Sequence, residues 1–154
     1  MDQMLKDIEA LASDTIKQLK EAASNWSEAG KTRADNAKKH RAAADKARGK
    51  HKYGEAGDGE DSSADEENKA SDNHSKSAKN WDKVAKASTN KAEKIKAEKK
   101  AAAERENARA AKERAAQAHE RAGDDHGTNK DGEKKANSLE KAAQEREELA
   151  AGEF

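Results

Sequence analysis

The sequence predicts an all-α protein in which three or four alanine-rich, charged helices form a thin or elongated bundle with a coiled-coil-like arrangement and a marginal core. Strong helix formers dominate the chain, and it contains no proline to interrupt them. Charged residues make up 42% of it, and their signs balance to a net charge of +0. Such a composition is typical of long helices and coiled coils.

Large apolar side chains, which fill the core of an ordinary domain, are scarce. They are Met1, Met4, Leu5, Ile8, Leu11, Ile16, Leu19, Trp26, Tyr53, Trp81, Val84, Ile95, Leu139, Leu149 and Phe154. The 32% of residues that count as hydrophobic are therefore mainly alanine. Buried apolar area stabilises a fold by roughly 25 cal/mol per Å², whereas fixing the backbone costs roughly 1–2 kcal/mol per residue. The sequence therefore predicts a marginal core.

An amphipathic N-terminal helix is predicted over residues 1–30. Its apolar residues recur at three- and four-residue spacing and are Leu5, Ile8, Ala12, Ile16, Leu19, Ala23 and Trp26. This period places one apolar stripe along a helix that covers residues 2–28. Gly30 is expected to end or bend that helix.

Opposite charges distinguish the next two segments. Residues 31–53 hold nine basic residues against Asp35 and Asp45, and the alanines between them predict a basic, alanine-rich helix. Residues 54–67 hold seven acidic residues and no basic one, so 54–75 is interpreted as an acidic Gly/Ser linker. A helix is expected to restart near residue 64 or near residue 76.

Two further helices are predicted in the second half of the chain. Residues 76–122 form one long candidate helix that is rich in alanine, lysine and glutamate. The glycines and aspartates of residues 123–136 are expected to form a linker after it. Asn137 and Glu140 have the spacing of a helix start, so residues 137–154 are assigned to a short C-terminal helix and tail.

A small set of side chains is expected to form a helix-packing or partner face. They are Leu5, Ile8, Leu11, Ile16, Leu19, Trp26, Trp81, Val84, Ile95, Leu139 and Leu149. In one interpretation the N-terminal stripe meets the later apolar residues in a thin seam within the chain's own bundle. In a second interpretation it binds another amphipathic helix, and a homo-oligomer is one form of that association. In a third the first helix lies on a membrane surface, but residues 1–30 hold six acidic residues against three lysines, which match an anionic bilayer poorly.

No catalytic or cofactor-binding residue is predicted. The chain has no Gly-x-Ser-x-Gly motif, no phosphate loop and no dinucleotide fingerprint. Too little apolar material is present to enclose the dry pocket that makes catalytic charges effective. The protein is therefore expected not to be an enzyme.

Two histidines raise the question of a metal site. His119 and His126 flank Asp124 and Asp125, and imidazole with carboxylate suits zinc or another divalent ion. A polar helix end at Gly123 explains the same residues, and no metal site is predicted. The other histidines are expected at the solvated surface, and they are His40, His51 and His74.

Membranes and nucleic acids match the sequence poorly. No apolar run approaches the roughly 18 to 20 residues that span a membrane, and Met1–Asp2 begins a charged helix rather than a signal peptide. A cytoplasmic location is therefore expected. Lysines in 31–52 and 76–100 could neutralise phosphates, but few aromatic residues accompany them. Binding of nucleic acid or another polyanion is the third functional alternative.

The segment 83–122 resembles the late-embryogenesis-abundant proteins of the helical repeat type in its alanine, lysine and glutamate content. Val84 and Ile95 fit the eleven-residue interval of that family, whereas Glu106 departs from it. The resemblance implies a stress-protecting hydrophilin, largely unfolded when dilute and helical when water is withdrawn. The favoured prediction is instead a non-catalytic structural or interaction protein, either natural or an artificial, highly soluble helical sequence.

Overall fold

Four α-helices packed against each other make up the described part of this protein. The computed structural model describes residues 2–154, which are 92% helical and include no strand. The helices are α1 (Asp2–Gly49), α2 (Tyr53–Ala87), α3 (Lys91–Thr128) and α4 (Gly132–Ala151). The all-α prediction is confirmed. Met1, which was counted among the large apolar side chains, lies outside the described residues.

Consecutive helices run antiparallel, and α2 lies between α1 and α3. Ser77 Oγ donates a hydrogen bond to the carbonyl of Ala23 at 2.8 Å, and Ser63 Oγ donates one to the carbonyl of Ala37 at 3.0 Å. Later residues of α1 contact earlier residues of α2, as expected for an antiparallel pair. The two helices keep the same register between these two contacts. α4 packs against α3 and also contacts the first half of α2.

Small residues form the contact between α1 and α2. Ala23, Gly30, Ala37 and Ala44 are the buried residues of α1, and they follow one another at intervals of seven. Seven residues are close to two helical turns, so these positions stay on one side of the helix. Their small side chains let the two backbones approach closely, and the seam between the helices is narrow.

The largest buried apolar side chains lie near one end of the bundle. Trp81 and Val84 of α2 are 8% and 0% exposed and form a cluster with alanines of α1 and α3. Ile16 and Leu19 pack against this cluster from α1. Ala12 of α1 and Thr89 of the loop between α2 and α3 line the same cleft. The residues of α1 that precede Ala12 therefore extend past this loop.

Gly30 does not end or bend the first helix as expected, since α1 continues to Gly49. The glycine is buried, and a Cβ atom placed on it would lie 2.6 Å from Nε2 of His74. The absence of a side chain therefore lets α2 approach α1. Tertiary packing outweighs the low helix propensity of this residue.

The range 54–75, expected to be an acidic linker, is helical within α2. Its acidic side chains find basic partners on neighbouring helices: Glu60 accepts hydrogen bonds from Arg48 and Arg121, and Glu67 accepts two from Arg114. These contacts come from residues distant in sequence. Local glycine and serine content could not reveal them.

The expected bounds of the later helices also differ from those observed. The range 76–122 is not one helix, because Ser88 is extended and the side chain of Asn90 accepts hydrogen bonds from the first amides of α3. The range 123–136 is mostly helical, with a break only between Thr128 and Gly132. Asp131, rather than Asn137, caps the last helix by accepting a hydrogen bond from the amide of Lys134.

Candidate functional site

The first part of the expected packing face lies on an exposed extension of α1. We call residues 2–15 the overhang, since all of them are exposed. Met4, Leu5, Ile8 and Leu11 are 66, 56, 55 and 67% exposed. These four residues, the overhang stripe, make up most of the exposed large apolar surface of the described chain.

The remaining residues of the expected face divide into two groups. The structure brings Ile16, Leu19, Trp81 and Val84 together in the apolar cluster. The others lie elsewhere, half-buried or exposed, and they are Trp26, Ile95, Leu139 and Leu149. A single continuous seam of all eleven residues therefore does not form.

Acidic residues flank the overhang stripe on both sides. With 3.6 residues per turn, Asp2 and Glu9 project to one side of the stripe and Asp7 and Asp14 to the other. Lys6, the one basic residue of the overhang, projects to the opposite side of the helix. The exposed apolar surface is thus bordered by negative charge.

A second surface carries the opposite charge. The end of α2 and the start of α3 present a set of exposed lysines that form no ion pair within residues 2–154, and we call this set the lysine surface. Its members are Lys79, Lys83, Lys86, Lys91, Lys94 and Lys99. Ile95, which is 43% exposed, lies among them.

α4 covers the groove between α2 and α3 along only part of its length. Hydrogen bonds join α4 to α2 at three places, from Lys134 to Asp58, from Ser138 to Asp61 and from Asn68 to Glu145. α4 ends at Ala151, and Nε of Arg105 donates a hydrogen bond to the carbonyl of Phe154, three residues later, at 3.1 Å. The lysine surface lies beyond that point, where α4 does not reach.

A buried cluster of histidines and carboxylates lies where α2, α3 and α4 meet. Nε2 of His126 lies 3.0 Å from a carboxylate oxygen of Asp61, and the hydroxyl of Ser138 donates to the same carboxylate at 2.9 Å. Nδ1 of His119 lies 3.0 Å from Glu145. His119 and His126 are 1% and 0% exposed, so this cluster belongs to the interior.

The cluster does not match the metal arrangement considered from the sequence. Asp125, which neighbours His126 in sequence, points instead to Arg48 on α1 and accepts two hydrogen bonds from it, at 3.0 and 2.6 Å. Nδ1 of His126 has no hydrogen-bond partner and lies against the backbone of Gly57. Within residues 2–154, no group of three or more histidine and acidic side chains has a geometry that could hold a metal ion.

Arg48 connects three helices through buried carboxylates. It pairs with Asp125 of α3, and its Nη2 also lies 3.1 Å from Glu60 of α2. Glu60 in turn lies 3.0 Å from Nη2 of Arg121. The hydrogen bond to Asp125 is the main cause that raises the pKa of Arg48 above its ordinary value, with Glu60 adding to it against the effect of burial. The guanidinium of Arg48 thus joins α1 to α2 and α3 through two buried carboxylates.

Sequence reasoning missed the buried histidines. His74, expected at the surface, is 5% exposed, and its Nδ1 lies 2.6 Å from Glu104. A signal for this burial exists in the sequence: Glu60, Glu67, His74 and Trp81 follow one another at intervals of seven and are all buried. A search for residues at that interval would have found His74.

Residues 2–154 thus form an all-α fold of four antiparallel helices, with small and polar residues in its interior and an apolar stripe on a helical extension. No protein-family model matches this chain, and no curated protein or solved structure matches it. No helix within residues 2–154 is long and apolar enough to cross a membrane.

Proposed function

We propose that this protein is a non-catalytic helical interaction protein, in which the bundle holds the overhang stripe in position for another polypeptide. The observation that carries the proposal is the exposure of Met4, Leu5, Ile8 and Leu11 on one face of a continuous helix. Each additional buried CH₂ group contributes about 0.8 kcal/mol, so covering these side chains would stabilise a complex. A contiguous exposed apolar surface is typical of an interaction site.

The pairing of the buried histidines with carboxylates supports a role without catalysis. Glu145 is paired with His119, Asp61 with His126, and Glu104 with His74. All three histidines are buried between helices, where they join neighbouring elements. These contacts account for the buried histidines as structural groups.

The proposal is tested by measuring whether the overhang stripe contributes to the stability of the monomer, as a core would, or does not, as an exposed surface would. A variant with Ile8→Ser and Leu11→Ser should melt at the temperature of the wild-type chain when both are dilute and monomeric, because both side chains contact solvent. Val84→Ser is the matched control and should lower the melting temperature, since Val84 is fully buried. Circular dichroism measures the melting temperature of the wild-type chain and of both variants. A melting temperature that falls as far in the stripe variant as in Val84→Ser would contradict the proposal.

Circular dichroism also separates this proposal from the hydrophilin alternative, and a gel shift tests polyanion binding. A hydrophilin would show weak helical signal in plain buffer that rises with trifluoroethanol, without a cooperative melt. A specific observation favours polyanion binding as the second candidate, namely the six lysines of the lysine surface without ion pairs in the described chain. A gel shift with nucleic acid that persists at moderate salt would support that candidate. The cytoplasmic location and the artificial origin stay predictions.

A further inference from the structure

We infer that the overhang of one molecule docks onto the lysine surface of a second copy, and that the contact is reciprocal, giving a closed dimer. The inference rests on the proposed function, because it names the partner of the overhang stripe. Three observations carry it, which are the charge around the stripe, the open groove beside the lysines and the positions of both surfaces on the bundle.

Charge decides which surface complements the overhang. Residues 2–15 hold four acidic side chains and one lysine, and all four acids flank the stripe. Two overhangs pairing with each other would bring these acids together, and like charges at close range oppose association. The lysine surface offers the opposite sign, with six lysines against one exposed acid, Glu98, on the same stretch of α3, and it has an exposed apolar side chain, Ile95. It therefore fits the overhang better than a second overhang does.

The groove that α4 occupies continues past Ala151, where α4 ends. From Lys79 to Ala87, α2 extends about 12 Å at 1.5 Å per residue. The overhang stripe, from Met4 to Leu11, extends about 11 Å by the same rise. The uncovered part of the groove thus has the length of the stripe, and a helix placed there would continue the layer that α4 begins.

Symmetry allows both contacts at once. Ser63 and Ser77 contact α1, whereas Asp61 and Asn68 contact α4 from the other side of α2. The overhang therefore extends from one side of the α2–α3 pair, and the open groove lies on the opposite side. A two-fold axis perpendicular to the bundle places each overhang against the groove of the other molecule. Such a contact closes on itself and stops at two chains.

The test uses two charge-reversed variants of the full chain. The overhang variant carries Asp7→Lys and Glu9→Lys, and the surface variant carries Lys83→Glu and Lys94→Glu. All four side chains lie at the surface of the separate chain and form no ion pair within residues 2–154, so both variants should keep their helical circular dichroism. Analytical ultracentrifugation should show a dimer for the wild-type chain and a monomer for each variant alone.

The decisive measurement is the equimolar mixture of the two variants. Each lysine-bearing overhang then meets an acidic groove and each acidic overhang meets an unchanged groove, so the mixture should regain the dimer mass. A control with Lys39→Glu and Lys46→Glu, two exposed lysines of α1 away from both surfaces, should remain a dimer.

Three results would overturn the inference. One is a wild-type chain that stays monomeric up to its solubility limit, and another is a mixture of variants that stays monomeric. The third is a surface variant that still dimerises while Ile8→Ser with Leu11→Ser does not, which would show that overhangs pair with each other. In each case an unchanged melt of the stripe variant keeps the proposed function standing with a different partner.

Discussion

Individual glycines determine how closely the helices of this bundle approach. A Cβ atom on Gly57 of α2 would lie 2.5 Å from a ring carbon of His126, which is fully buried and has little room to move. The contact explains why a residue of poor helix propensity lies inside a long helix. Glycine here is a packing residue rather than the linker residue that the sequence suggested.

Substituting Gly57 by alanine should therefore destabilise the protein. Overpacking of this kind costs about 1–3 kcal/mol, which exceeds the gain of about 0.5–1 kcal/mol in helix propensity. Gly49→Ala is the matched control, because Gly49 is helical and has no neighbour within 4 Å of a new Cβ. Urea denaturation should show a lower free energy of unfolding for Gly57→Ala and no loss for Gly49→Ala. Equal stability of both variants would contradict this assignment.

Glu66 gives the stability a dependence on pH. Burial disfavours its carboxylate, but hydrogen bonds from Lys69 and Arg33, at 3.0 and 3.1 Å, outweigh that effect and lower the pKa of Glu66 below its ordinary 4.5. A lowered pKa in the folded state means that the ionised group stabilises the fold above pH 4.5. This contribution disappears as the pH falls through the pKa of the folded state.

Glu66→Gln should accordingly lower the free energy of unfolding at pH 7, and the deficit should shrink as the pH falls below 4.5. Urea denaturation at a series of pH values measures it. Glu98→Gln is the control, because Glu98 is exposed and forms no ion pair within residues 2–154. A deficit for Glu66→Gln that is constant from pH 7 to pH 3 would exclude the ionised carboxylate as its cause.

At the scale of the helices, α2 depends on its neighbours more than on its own sequence. Glu60 is completely buried between Arg48 of α1 and Arg121 of α3. Glu66 and Glu67 likewise pair with arginines of α1 and α3. Removing the charge of Glu60 should therefore affect three helices at once.

Glu60→Gln should cost about 1.5–3 kcal/mol, the range of hydrogen bonds to charged groups, because two arginines lose a buried charged partner. Glu113→Gln is the comparison, since Glu113 also binds an arginine, Arg146, but its side chain is 43% exposed. Exposed pairs contribute about 0–1 kcal/mol. Chemical denaturation measures the free energy of unfolding of both variants. Similar decreases in the two variants would mean that the burial of Glu60 does not strengthen its ion pairs.

The helices could be predicted from the sequence, but their ends could not. Helix formers and the absence of proline indicate helix everywhere, whereas the break at Ser88 and Asn90 has only a capping side chain to mark it. That break also determines which part of the N-terminal stripe is exposed. The stripe from Leu5 to Leu19 is visible as a period, yet only Ile16 and Leu19 pack in the bundle, because α2 ends before it can cover the rest.

Across the whole molecule, apolar and polar interiors occupy different parts of the bundle. Trp81, with Lys100 over its ring at 4.1 Å, belongs to the apolar cluster. His119 belongs to the buried cluster of histidines and carboxylates. It lies nineteen residues further along α3 than Lys100, which places the two residues about 28 Å apart along the helix axis. α2 and α3 run without interruption through both parts. Continuous helices shared by two clusters should make the bundle unfold as one unit.

This coupling can be tested by a change at one end and a probe at the other. His119→Ala should destabilise the protein, because it leaves Glu145 buried without its imidazole partner. The fluorescence of Trp81, measured in a Trp26→Phe background, reports the apolar cluster, while circular dichroism reports all four helices. If the bundle is one cooperative unit, both probes should show the same urea midpoint in the wild-type chain and the same lowered midpoint in the variant. A fluorescence midpoint that stays at the wild-type value while the helical signal melts earlier would mean that the two clusters unfold independently, and that the shared helices break between them.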